Sequence, residues 1–192
     1  MIYRIACALI RLGNALWLNI TYVGMENIPS EGGVVLCPNH VSWYDPLLVG
    51  APIRRVVHFL AKQELFKNKF FSWVLKKLVY SVPVNRENVS IETIKTALKL
   101  LKSGEILGVF PEGTRVKENE RVEPLEGFVL FAVKTKSPIL PVHISGSFGF
   151  RGKVRVRYGE LIYLDEFYGK KLKSEEMKVI AKEIMNKLYQ LD

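Results

Sequence analysis

Cysteine and histidine are scarce in this 192-residue sequence, and no long apolar run interrupts it. The two cysteines, Cys7 and Cys37, form no Cys-x-x-Cys pair, and with three scattered histidines they do not make up a zinc ligand set. Each lies in an apolar run, so both read as buried free thiols suited to a reducing, cytosol-facing setting. Residues 2–18 are rich in Ile, Leu, Ala and Trp, but Arg4, Arg11, Gly13 and Asn14 interrupt them, and the uncharged run between the arginines is only the six residues Ile5 to Ile10. A membrane-spanning helix needs about 20 apolar residues, and a signal peptide needs a longer apolar stretch with a cleavage site. Residues 1–20 are therefore expected to form an amphipathic helix lying on a membrane surface or on the core, followed by one domain over residues 21–192. Repeats, low-complexity stretches and linkers are missing too. Acidic residues are outnumbered, 19 against 28 Lys and Arg, for a formal charge of +9. That excess favours an anionic partner: nucleic acid, an acidic membrane leaflet or a phosphorylated substrate. No RNP-like, helix-turn-helix or zinc pattern is present, so nucleic acid is not expected to be the partner.

What is present is enough for a core, since 48% of the residues are apolar. Short runs rich in β-branched residues and bounded by Gly, Pro or Asn predict strands at Thr21–Val23, Val34–Cys37, Val56–Ala61, Val79–Val84, Ile106–Phe110, Ile139–Ile144 and Val154–Tyr158. The last alternates apolar and basic residues, which predicts a half-exposed edge. Between Ser90 and Lys102, Ile91, Ile94, Leu98 and Leu101 share a helix face, and Gly104 follows as a stop. A final helix is predicted from Ser174 as N-cap, with Glu175 and Glu176 in its first turn, and a shorter one from Glu126 to Lys136. Strands interleaved with helices give an α/β fold with a largely parallel or mixed central sheet flanked by helices.

Two segments carry the chemistry. Asn39-His40-Val41-Ser42-Trp43-Tyr44-Asp45-Pro46 follows a strand. His40 and Asp45 are five apart, so they meet only across a turn, with Asp45 as N-cap and Pro46 at the first position of a following helix. An Asp that accepts from one imidazole nitrogen fixes the tautomer and leaves the other nitrogen as a base. A loop histidine beside a capping aspartate has the same spacing. Phe110-Pro111-Glu112-Gly113-Thr114-Arg115 lies at the carboxyl end of another strand, where α/β folds bind ligands. Gly113 allows close backbone approach, Thr114 adds a donor, and Arg115 offers a fork for phosphate. A solvated turn pairing Glu112 with Arg115 is the alternative. Val82-Pro83-Val84-Asn85-Arg86 puts one more arginine after a strand. His58 and His143 lie inside strands and read as core or edge histidines.

In this order, NHVSWYD, VPVNR, FPEGTR and ILPV resemble the phospholipid/glycerol acyltransferase family, in its lysophosphatidate acyltransferase branch. The resemblance runs from about Val23 to Ser147. It implies a glycerol-3-phosphate acyltransferase-like fold, with His40 as general base and Asp45 as its orienter. It makes Arg86, Glu112, Gly113, Thr114 and Arg115 acceptor-binding residues and brings in Lys62, in a family-like AKQEL segment. The implied reaction moves a fatty acyl group from acyl-CoA or acyl carrier protein to the free hydroxyl of 1-acyl-glycerol-3-phosphate, giving phosphatidic acid, with no metal or bound cofactor. Another lysophospholipid, or glycerol-3-phosphate itself, is the alternative acceptor, and a non-catalytic binder of anionic lipids is the alternative function. One departure is Glu126 before Gly127, where members often carry lysine. Thioester attack by a hydroxyl needs a base, orientation and a grip on phosphate; a Ser42 acyl-enzyme is a lesser route. Finally, Phe66, Phe70, Phe71 and Trp73 with Lys67, Lys69, Lys76 and Lys77 at helical spacing suit an interface helix within Lys62–Tyr80, a core-facing helix with a wet lysine face being the alternative. The expected place of the protein is the cytoplasmic face of the cell membrane, peripheral or monotopic, against an anionic surface.

Overall fold

The computed structural model describes residues 2–77, 80–85, 89–117 and 120–191. Helix α1 covers Ile2–Trp17 and leads into strand β1, Asn19–Val23. The remaining strands are β2 (Val34–Pro38), β3 (Val57–Lys62), β4 (Val82–Val84), β5 (Ile106–Gly108), β6 (Ile139–Gly146) and β7 (Lys153–Tyr158). The other helices are α2 (Asp45–Gly50), α3 (Lys69–Lys77), α4 (Ile91–Lys102), α5 (Gly127–Thr135) and α6 (Ser174–Tyr189). Seven strands form one sheet in the order β1-β7-β6-β2-β5-β3-β4. All neighbours are parallel except β6 and β7, so the sheet is mixed.

Burial on both faces explains the continuous apolar run of β2. Val34 and Leu36 point into a cluster with Leu48, Val49 and Ile53 from α2 and the following turn, while Val35 and Cys37 point into one with Ala97 and Leu101 of α4, Phe128 and Ala132 of α5 and Ile184 of α6. Cys37 is a free thiol in this interior, and burial raises its pKa well above the usual value; Cys7 is likewise free and buried. Strand β2 therefore sits at the centre of the molecule, and the turn after its carboxyl end is held on a rigid base.

Several boundaries differ from expectation for local reasons. The last strand is not an edge: β7 lies between β1 and β6. Its alternation reflects one uncovered sheet face, with Lys153 and Arg155 exposed and Val154 and Val156 buried. Strand β4 begins only at Val82, after Tyr80 at φ 53; Leu78 and Val79 lie outside the described residues. The segment after Lys62 is two pieces, a 3-10 turn at Gln63–Phe66 and then α3, whose first helical bond runs from Ser72 N–H to the Asn68 carbonyl. Helix α4 is capped as expected, the Ser90 hydroxyl accepting from Thr93 N–H at 3.1 Å. In α6 the cap is Lys173, whose N–H donates to Glu176 Oε2 at 2.8 Å; Ser174 instead donates its hydroxyl to Glu126. Among the described residues no helix is long and apolar enough to cross a membrane.

Candidate active site

The carboxyl ends of β2, β5, β3 and β4 face the same way because these strands are parallel. The chain leaving β2 makes a tight turn from Asn39 to Tyr44 that α2 then ends. Asn39 is buried and uses its amide as a strand would: Nδ2 donates to the Ile144 carbonyl at 2.9 Å and Oδ1 accepts from Ile144 N–H at 2.7 Å. This locks the turn to β6 one residue before His40.

His40 Nδ1 lies 2.8 Å from Asp45 Oδ2. The same oxygen accepts from the N–H groups of Val41 and Ser42, both at 2.7 Å. Asp45 is 0% exposed, and an ionised carboxylate only accepts, so the imidazole proton belongs on Nδ1 and the Nε2 lone pair is left free. Two details correct the sequence reading. Tyr44, not Asp45, is the N-cap of α2, and Pro46 takes the second helical position. Asp45 reaches backwards, so its side chain closes the turn that carries His40 instead of capping its own helix. Ser42 Oγ accepts from Tyr44 N–H at 3.2 Å.

A second segment grips His40 from below. Its N–H donates to Glu112 Oε2 at 2.5 Å and its carbonyl accepts from Val116 N–H at 2.8 Å. Its ring, with the side chain 12% exposed, stacks on Phe110 at 4.1 Å and 28°, and Phe110 in turn stacks near-parallel on Phe59 at 5.6 Å. Gly108 makes room for that stack, since a Cβ there would lie 2.3 Å from the Phe59 ring. Phe110 also lines a cavity of about 320 Å³ whose apolar walls include Leu60, Val109, Leu125, Phe131 and Met177.

The described residues grouped by resemblance differ in exposure. Gly113 turns the loop at φ 65, a conformation suited to glycine, and Thr114 and Arg115 are exposed, two residues and one residue before the bond to the His40 carbonyl. Glu112 does not join them. It is 6% exposed, and its second oxygen accepts from the Tyr189 hydroxyl at 2.5 Å, so protein donors occupy both oxygens and no pair with Arg115 forms. Burial raises its pKa, against the pull of these two hydrogen bonds. Lys62 ends β3, mostly exposed, with Nζ 3.7 Å from Glu64. Arg86 lies outside the described residues. His58 and His143 stay in strands: burial lowers the His58 pKa, and His143 Nδ1 contacts the Leu191 carbonyl at 2.8 Å. Among the described residues no group of three or more His, Cys, Asp or Glu could hold a metal ion.

A family model described as Acyltransferase matches residues 19–145, from β1 through most of β6. The chain belongs to the acyltransferase family. A 1-acyl-sn-glycerol-3-phosphate acyltransferase of Bacillus subtilis is 36% identical over 178 residues, covering 86% of this chain and 88% of that protein. One from Streptococcus pneumoniae is 29% identical over 182 residues, covering 91% of this chain and 66% of that protein. The crystal structure of a 1-acyl-sn-glycerophosphate acyltransferase from Thermotoga maritima superposes with a TM-score of 0.73 at 24% identity, over 99% of this chain and 80% of that one, which shows the shared fold. In this acyltransferase the sequence motifs do not mark Phe110 as the platform under the imidazole, Asn39 as the strap to β6, or Tyr189 as the partner of Glu112. Asn39 is legible only as part of the Asn-His-x4-Asp block, and Tyr189 has no local signal at all.

Proposed function

We propose that this acyltransferase moves a fatty acyl group from a soluble thioester, acyl-CoA or acyl carrier protein, to the free hydroxyl of 1-acyl-glycerol-3-phosphate, giving phosphatidic acid for phospholipid synthesis. The observation that carries the proposal is the His40–Asp45 pair: a buried carboxylate with three donors on one oxygen, orienting an imidazole at the carboxyl end of the central strand. The substrate class comes from relatives matched over most of the chain.

In this reading Nε2 of His40 removes the acceptor hydroxyl proton as the oxygen attacks the thioester carbonyl. Asp45 stabilises the imidazolium that forms. As the tetrahedral intermediate collapses, the C–S bond breaks and the imidazolium returns its proton to the departing thiolate. The apolar cavity that Phe110 lines suits an acyl chain, which burial stabilises at roughly 0.8 kcal/mol per methylene. Arg115 supplies a cation for the acceptor phosphate on the rim of the same loop. The reaction takes place at an anionic membrane surface on the cytoplasmic face of the membrane. Helix α1 exposes Leu9, Leu12, Leu16 and Trp17, and Trp43, 72% exposed, stands between His40 and Asp45 in the catalytic turn.

The test is to incubate the protein with lysophosphatidate, other lysophospholipids and glycerol-3-phosphate, each with acyl-CoA and with acyl carrier protein thioester, and to identify products by mass spectrometry. Phosphatidic acid from lysophosphatidate is the expected main product. His40→Ala should lose 10²–10⁴-fold in turnover while keeping its circular dichroism spectrum. An unchanged rate would reject the base, and binding of lysophosphatidate without product from any donor would leave a lipid-binding protein.

A further inference from the structure

Tyr189 lies beyond the residues that the family model matches, in the last turn of α6, yet its hydroxyl reaches Glu112, in the loop that holds the catalytic turn. It donates to Glu112 Oε1, while Glu112 Oε2 accepts from His40 N–H, so a single buried carboxylate joins the C-terminal helix to the backbone of the histidine. The tyrosine is placed independently of that turn. Arg121 holds its guanidinium 4.7 Å over the ring, and the His143 ring of β6 meets it edge-on at 6.4 Å and 84°. One residue earlier, Leu188 is fully buried, and two residues later the Leu191 carbonyl contacts His143 Nδ1. Burial, and then the neighbouring carboxylate, push the Tyr189 pKa up, so the phenol keeps the proton it donates.

Taking His40 as the base, we propose that Tyr189 is a positioning residue: its hydroxyl sets the rotation of the Glu112 carboxylate so that Oε2 meets His40 N–H and holds the catalytic turn from behind. A carboxylate has two equivalent oxygens and rotates freely without a second anchor. With Oε1 fixed by a donor from α6, Oε2 has one direction left, and that direction is the backbone of the residue whose Nε2 must meet the acceptor hydroxyl. Small displacements at such a position are costly, since a shift of about 1 Å reaches 10²-fold in rate. Glu112 then works inside the protein and not on the acceptor, which accounts for its burial beside the exposed Thr114 and Arg115.

Tyr189→Phe removes only the hydroxyl and keeps the ring between Arg121 and His143. With whichever acceptor and donor the parent enzyme turns over, it should lower kcat on the order of tenfold and leave the acceptor KM within about twofold. The backbone amide proton of His40 should move upfield in the nuclear magnetic resonance spectrum as its bond to Glu112 lengthens, a change read without substrate. In a Glu112→Gln background the further effect of Tyr189→Phe should shrink, because both substitutions act through one group. Three results would each overturn the proposal: an unchanged kcat with an unmoved His40 amide, a raised acceptor KM at constant kcat, or full additivity of the two substitutions. Absence of turnover on lysophosphatidate, with turnover on another acceptor, would reject that substrate and leave the Tyr189 test standing.

Discussion

At Arg115 a single side chain separates charge from geometry. It stands at the rim of the loop after β5, with no ion pair or side-chain hydrogen bond among the described residues, and the next residue, Val116, bonds the His40 carbonyl. A guanidinium meets phosphate through two parallel N–H bonds, whereas an ammonium presents a point charge. Charge-assisted hydrogen bonds contribute roughly 1.5–3 kcal/mol each, so losing one costs on the order of 10- to 150-fold in kcat/KM. Arg115→Lys should therefore be clearly impaired on lysophosphatidate although the charge is kept. The loss should be much smaller on a monoacylglycerol, which has no phosphate for the guanidinium to bind. Equal fractional losses on the two acceptors would remove Arg115 from phosphate binding and assign it to the donor or to the loop itself.

Among the elements, β5 does more than its three residues imply. Gly108 lets the Phe59 ring lie across it, and Phe59 supports Phe110, on which the imidazole rests. An added methyl at 108 would drive the Phe59 ring away, at a cost of about 1–3 kcal/mol of overpacking. Gly108→Ala should melt lower by roughly 2–4 °C for each kcal/mol lost, and kcat should fall with it. Phe59→Leu in the same chain should recover part of both, and a Gly108→Ala protein that melts and turns over like the parent would show that the stack carries no strain to the site. This support was not legible in the sequence, where Gly108 reads as a strand interior and Phe59 as core. The strands themselves were legible, because Val34–Cys37 and Ile139–Val142 are buried on both faces and leave unbroken apolar runs. The position of β7 was not, because the alternation of Val154 to Tyr158 reports one wet face and is the same at an edge or inside a sheet. The five-residue spacing of His40 and Asp45 required a turn, and the turn is there; but the bonds that hold it, from Asn39 to Ile144 and from His40 to Glu112, join residues 105 and 72 positions apart, and no local pattern encodes such a distance.

For the whole molecule the proposed action at a bilayer turns on a balance between charge and exposed apolar surface. In the membrane-surface reading proposed above, the formal charge of +9 would draw the protein to an anionic surface, an attraction that acts over roughly 30 Å at 0.01 M salt and about 3 Å at 1 M. Charge alone would give binding that salt abolishes. The surface also carries an apolar component: Leu9, Leu12 and Leu16 stand out from α1, and Trp17 packs edge-on against the exposed Phe150 of the β6–β7 loop at 5.3 Å. Burying one leucine side chain contributes about 1.5–3 kcal/mol, so two leucines replaced by glutamate should weaken partitioning on the order of 100-fold or more. Deleting the helix would be a poorer test, because Cys7, Asn14 and Leu18 are buried and the Tyr44 hydroxyl, next to Asp45, donates to Asn14. The variant Leu12→Glu/Leu16→Glu changes only exposed positions and leaves that contact alone. With vesicles containing acidic lipid the parent protein should float at low salt and float partly at high salt, the remainder being the apolar share. The variant should float weakly at low salt, through charge, and not at all at high salt. Its activity on a monodisperse short-chain lysophosphatidate should match the parent's, while its activity on lysophosphatidate held in vesicles should fall with binding. If the variant floats like the parent at high salt, α1 is not the contact; if the parent stays in solution under every condition, the enzyme does not work from a membrane surface.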